Sequence, residues 1–289
     1  MNQFRPTVIG YREASPAIRR PARYSRYLQI LLCGLVLLVG ACSTVPITQR
    51  QQLNLVSEGT MTAASQQQYD EFLTSHKVIR NTPESAMVQR VGERIRSAVE
   101  QFLANRNQLS QLSGYQWEFS LVESSEVNAW AMPGGKVTIY SGILPITRNE
   151  AGLAAVMAHE VAHVIARHGS ERMSQELLTQ MGGQALSAVL ASRPEASQAL
   201  WMKVFGVGTT VGVMLPYSRL QESEADHLGM IFMAMAGYDP HAAIEVWQRM
   251  AQQGGAGVPE FLSTHPADQT RIRQLTEKLP EAMQYYQSR

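Results

Sequence analysis

The sequence predicts a mainly helical α+β chain in which a small sheet lies beside one buried helix. Three observations carry that expectation. Residues 150–168 are rich in Ala, Leu, Val and Met without an interior proline, the pattern of a helix buried on most sides. Residues 128–132 and 136–140 flank Pro133-Gly134-Gly135, a turn that lets one strand finish and another return. Helical periods recur over residues 84–103, 221–235, 240–252 and 268–279.

Taken in order, the first 27 residues hold six arginines and one glutamate, and residues 28–41 form an apolar run too short to span a bilayer comfortably. That is the layout of a secretory signal. The run ends at Val39-Gly40-Ala41-Cys42, where small residues precede a cysteine as in a bacterial lipobox. The expectation is a leader over residues 1–41, diacylation of Cys42 on sulfur, and a polar acylated tether over residues 42–57. Ser43 stands where an aspartate usually retains lipoproteins at the inner membrane. The expected location is therefore the outer membrane, lipid-anchored and facing the periplasm. Cys33 lies in the leader, so the mature chain has no thiol for a disulfide and must rely on packing and metal. Without its leader the chain carries a net charge of −4, which argues against nucleic acid as a partner.

The expected domain, residues 58–289, contains an amphipathic helix at 84–103, a strand at 115–123, the hairpin, and then the buried helix. Residues 173–215 are rich in Ala, Gly, Leu and Val, and their apolar run 204–215 carries three glycines and is too short to cross a membrane. They read as helices packed around the buried helix, forming a mobile cover over its cleft. Three helical segments complete the domain, and no internal period marks a repeat module.

The chemistry lies in His159-Glu160-Val161-Ala162-His163. Imidazoles at i and i+4 leave one face of a helix one above the other, close enough to hold one tetrahedral ion, and the intervening glutamate is placed as general base. A hydrolytic zinc needs a third protein ligand and an open position for water. One protease class places a glycine three residues, and a histidine six, beyond the second ligand; Ala166 and Gly169 occupy those positions here. His168 would point roughly 140° away on a continuous helix, which assigns it a helix-end or surface place. Further on, Glu222 and Asp226 share a helix face, while Glu224 points away from both.

These residues resemble the gluzincin group of zinc metalloproteases that contains HtpX, the prenyl-protein (CaaX) protease, BepA and LoiP. The likeness rests on His159-Glu160-Val-Ala-His163, on Glu222-Ser-Glu-Ala-Asp226, on the strand and hairpin over 127–144, and on Ser263-Thr-His-Pro266 followed by Arg271-Ile272. It covers most of the chain from about Thr60 onward, and implies a zincin-like domain with an edge strand beside the active helix. It further implies one zinc per chain held by His159, His163 and Glu222, with Asp226 orienting a ligand histidine. Glu224 is the rival third ligand; only Glu222 has an aspartate one turn later. Asn128 and Ala129 resemble the residues that pair with an extended substrate, Trp130 being an ordinary core residue if the hairpin is only structural. Tyr217, Arg219, His265 and Arg271 are candidate donors to a developing oxyanion. His265 is also a candidate fourth ligand that shuts the resting site.

The resulting expectation is a periplasmic zinc endopeptidase, LoiP-like and of a single domain, that cleaves misfolded or misassembled envelope proteins, with the outer-membrane assembly machinery as a further partner. The alternatives are a chaperone-like adaptor lipoprotein that assists outer-membrane protein assembly with little cleavage, and a metal-dependent hydrolase acting on a non-peptide envelope substrate.

Overall fold

In the computed structural model, the structure describes residues 42–181, 218–252, 260–265 and 269–287, all within one compact unit, Cys42–Arg289. The expected leader, residues 182–215 of the expected cover, and Tyr217 lie outside the described residues. The described elements are β1 (Cys42–Thr44), β2 (Gln51–Leu53), α1 (Glu58–Ser75), β3 (Val78–Ile79), α2 (Pro83–Ala104), β4 (Glu118–Val122), β5 (Ala129–Met132) and β6 (Lys136–Tyr140). They continue with α3 (Leu144–Thr147), α4 (Glu150–Ile165), α5 (His168–Met181), α6 (Arg219–Met235), α7 (His241–Gln252), α8 (Glu260–Thr264) and α9 (Gln269–Met283). The mainly helical α+β class read from the sequence holds.

Local chemistry sets the boundaries. Thr82 and Ser85 form a reciprocal capping box and Pro83 follows the cap, so α2 starts there and buries Val88, Val91, Ile95, Val99 and Phe102 on one face. Asn149 caps α4 by accepting from the Gly152 N–H at 2.9 Å. A Cβ on Gly152 would stand 2.0 Å from the Thr147 carbonyl oxygen, so the tight entry into this helix requires glycine. Ser218 and Gln221 box the start of α6.

The four-stranded sheet has the order β3-β4-β6-β5, with β4 and β6 parallel and the other pairs antiparallel. One face packs on α2 and α4 in the main core. On the other face, Trp130 meets Phe72 of α1 edge-on, with ring centroids 5.0 Å apart. The hairpin is therefore a core element, and β5 is also the sheet's terminal strand beside α4.

α4 is apolar on nearly every side and lies at the centre, flanked by α2, α6 and α7. Its contact with α6 is close because of Gly229. A Cβ there would sit 3.0–3.2 Å from the backbone of His159 and Ala158, so the two helices touch nearly backbone to backbone. This approach sets the distance between the histidines of α4 and the carboxylates of α6.

Two expectations fail for physical reasons. α4 does not run on through His168; it stops at Ile165, and Arg167 adopts φ 57° before α5 begins. That left-handed residue redirects His168, which is fully buried rather than at the surface. The segment expected as a free tether is a docked β1–β2 hairpin. Val45 is 0% exposed, the Gln52 amide donates to the Ala166 carbonyl at 2.7 Å, and Ser174 Oγ accepts from the Leu55 N–H at 2.9 Å.

Candidate metal centre

The first turn of α6 meets the middle of α4, and the polar side chains of both helices converge there. His159 and His163 leave the same face of α4, with their Nε2 atoms 3.1 Å apart. Glu222 Oε1 lies 3.3 Å from His163 Nε2, and Glu222 Oε2 lies 3.6 Å from His159 Nε2. His265, just past α8, points its Nδ1 to within 2.9 Å of Glu222 Oε1 and 3.2 Å of His159 Nε2. One donor atom from each of these four residues falls within 4.8 Å of the others, and all four side chains are buried. Three imidazole nitrogens and one carboxylate, without sulfur, form a donor set suited to a tetrahedral zinc ion.

Glu160 is buried beside this cluster. Its Oε1 is 3.5 Å from His265 Nε2 and makes no hydrogen bond among the described residues, so a polar group bound at the cluster would fit against it. Burial pushes the Glu160 carboxyl up to about 7; His265 opposes the rise and Glu222 adds to it. Burial also lowers His159 to about 4 and holds His163 well below the usual imidazole range. Both rings are therefore neutral at pH 7, the form that ligates metal.

The carboxylates depart in the other direction. Burial alone would raise Glu222 and Asp226, yet both are held below the ordinary carboxylate range. Arg271 is the main cause at Asp226, and His265 and Arg271 together act at Glu222. The Arg271 guanidinium forks onto Asp226 at 2.8 and 2.7 Å, approaches Glu222 Oε2 at 2.6 Å, and lies 3.4 Å from the centroid of the Trp247 ring. With its nitrogens directed at these carboxylates, Arg271 is better placed as their counter-charge than as a donor to substrate. Asp226 Oδ1 also accepts from His159 Nδ1 at 3.0 Å, which leaves Nε2 of that ring facing the cluster.

The structure thus brings together His159, Glu160, His163, Glu222, Asp226, His265 and Arg271. It separates others: Arg219 is exposed at the start of α6. Asn128 and Ala129 sit at the start of β5, where the Tyr140 N–H donates to the Asn128 carbonyl at 3.1 Å. In this register the Ala129 and Ala131 amides face away from β6 along the sheet's outer edge, and both residues are buried. Asn128 Oδ1 already accepts from the Ala129 N–H at 2.9 Å, so a peptide pairing at Ala129 would have to displace that side chain.

Glu224, the rival third ligand, is 2% exposed, bonded to His168, Thr48 and Arg50, and stands outside the four-donor cluster. Nothing in the sequence marks Arg50 or Thr48, which lie in a polar segment without apolar period. Arg271 was legible only as a neighbour of the Thr-His-Pro segment, and its hold on the carboxylates was not.

Comparison with known proteins places residues 89–279 in a match to Peptidase family M48. The mitochondrial metalloendopeptidase OMA1 of Schizosaccharomyces pombe is 35% identical over 243 residues, covering 82% of this chain and 66% of that protein. The human mitochondrial metalloendopeptidase OMA1 is 29% identical, over 82% of this chain and 46% of its own length. The beta-barrel assembly-enhancing protease of Escherichia coli is 32% identical over 162 residues, covering 54% of this chain and 33% of that protein. The chain thus spans between about a third and two thirds of the curated relatives it matches.

Proposed function

Because the chain belongs to peptidase family M48, matched over residues 89–279, we propose that it is a zinc metalloendopeptidase whose ion is held by His159, His163 and Glu222. The observation that carries this reading is the buried four-donor cluster with Glu160 beside it. Zinc, when bound, would lower the pKa of its water toward about 7 and polarise the scissile carbonyl. Glu160 receives the proton and delivers it to the leaving amine, a role suited to a carboxyl raised toward neutrality by burial. Asp226 fixes the tautomer of His159, and Arg271 keeps Asp226 and Glu222 ionised. The open side of β5 would hold an extended peptide through Ala129 and Ala131, with Asn128 turning aside.

The opening of the sequence supports the proposed location. Cys42, after a proposed leader over residues 1–41, is the proposed lipidation site, and the proposed setting is the periplasmic face of the outer membrane. Misfolded or misassembled envelope proteins are the proposed substrates, consistent with the likeness to the E. coli protease. The mitochondrial relatives give no support to that compartment. Among the described residues no helix is long and apolar enough to cross a membrane.

A peptide-library digest by the wild type and by Glu160→Gln tests the activity. The wild type should cleave, and the variant should keep its zinc while losing about a hundredfold or more in turnover. Cleavage by Glu160→Gln within tenfold of wild type would refute the assignment. Wild type that binds unfolded envelope proteins without cutting them would favour the adaptor role instead. A Cys42→Ser protein that is still labelled by a palmitate analogue would count against the anchor.

A further inference from the structure

His159 and His163 each carry a second ring nitrogen directed away from the donor cluster, and the partner found there differs. His159 Nδ1 meets the carboxylate of Asp226 directly. His163 Nδ1 meets another imidazole, His168 Nδ1, at 2.9 Å, and His168 Nε2 lies 3.0 Å from Glu224 Oε2. Glu224 is anchored in turn by Thr48 Oγ1 at 2.7 Å and by Arg50, whose Nε and Nη2 reach its two oxygens at 2.9–3.1 Å. Arg50 also forks onto Glu171 at 2.7 and 2.8 Å, and Glu171 accepts from the Gln221 amide at 2.8 Å.

We propose that His168, Glu224 and Arg50 form a positioning relay for His163, so that the docked β1–β2 hairpin is part of the support of the metal centre. The inference rests on the reading of His163 as a zinc ligand.

The protons can be arranged along this line in one self-consistent way. A neutral His163 that ligates through Nε2 carries its proton on Nδ1 and donates it toward His168 Nδ1. His168 Nδ1 is then an acceptor, so its own proton resides on Nε2 and is donated to Glu224. The line ends on a carboxylate that Arg50 and Thr48 hold in place. Every ring nitrogen has a role: reversing His163 alone would set lone pair against lone pair, and reversing His168 alone would set donor against donor and leave Glu224 facing a lone pair. Partners of this kind orient a ligand imidazole and raise its basicity, and their loss typically costs 10–100-fold in metal affinity.

The break between α4 and α5 makes this possible. On one continuous helix His168 would point away from His163; the positive φ of Arg167 turns it back. Packing alone would be satisfied by an apolar side chain at position 168, whereas the buried His168–Glu224–Arg50 line needs matched donors and acceptors throughout.

The test is zinc affinity of the full chain, measured by competition against a chelator, for wild type, His168→Phe, Glu224→Gln and His163→Ala. His168→Phe should weaken zinc 10–100-fold and Glu224→Gln at least threefold, with helical circular dichroism retained. If His168→Phe does not fold, Glu224→Gln, which keeps the side-chain volume, decides. Nitrogen-15 NMR of the histidine rings in the zinc-loaded wild type supplies a readout that packing would not set: His168 should be neutral and protonated on Nε2. Affinities within twofold of wild type for the folded variants, or a His168 protonated on Nδ1, would overturn the relay. Failure of the underlying reading looks different, because His163→Ala would then bind zinc as tightly as wild type.

Discussion

Replacing Arg271 by Met should strongly destabilise the protein. The guanidinium is 5% exposed and serves two buried carboxylates, Asp226 through a two-nitrogen fork and Glu222 through Nη1. Its removal strands both charges, and breaking a buried pair from one side costs about 3–5 kcal/mol. Bound zinc would still neutralise Glu222, so the loss should lie near the lower figure in zinc-loaded protein and near the upper one after chelation. At roughly 2–4 °C per kcal/mol for a chain of this size, the zinc-loaded Tm should fall by about 10 °C. Arg271→Lys should recover less than half, because a point charge cannot reproduce the fork or the contact with Trp247. The pH dependence fixes the sign. Arg271 helps to hold Asp226 and Glu222 below their ordinary values, so this stabilisation is present above the normal carboxylate range and is lost as pH falls through the lowered values. The penalty of Arg271→Met should therefore shrink in acid. Urea unfolding from pH 3 to pH 8, with and without zinc, measures it. A loss below about 1 kcal/mol at pH 7 in both forms, or a loss independent of pH, would refute the counter-charge role.

Gly229→Ala should weaken zinc and lower stability by about 1–2 kcal/mol despite the better helix propensity of alanine, because the new methyl meets the His159 backbone at 3.0 Å and pushes α6 from α4; calorimetry with a zinc titration checks both effects, and an unchanged or raised Tm would show that the helices can yield. His265→Ala should raise turnover of unfolded substrates at constant zinc content, since a histidine among the donors competes for the position that water needs and reduces the active population; a fall in kcat with KM little altered would assign it to oxyanion binding instead.

The site was legible where side-chain spacing on one helix decides geometry. His159, Glu160 and His163 follow from the period of α4, and Glu222 with Asp226 from that of α6. The helix starts expected at residues 150 and 221 fall within two residues of the observed ones, Glu150 and Arg219. What escaped depends on backbone events or on polar docking. No apolar pattern announces that Arg167 adopts a positive φ, so His168 was read on the wrong side of a helix that stops before it. The β1–β2 hairpin is held by Gln52, Leu55 and Arg50 through hydrogen bonds to partners over a hundred residues away, and a polar segment without period reads as a tether. Glu224 stands as a rival ligand in the sequence because its neutralising partner, Arg50, belongs to that segment. The count of carboxylates at the start of α6 was a usable signal: three acids within five residues cannot all face water on a helix packed this closely to α4.

The central claim is that His159, His163 and Glu222 hold one zinc, and metal content tests it most directly. After gel filtration in metal-free buffer, the wild type should retain one zinc per chain and a folded Glu222→Ala protein should retain essentially none. A Glu222→Ala protein that still carries one zinc per chain would contradict the account.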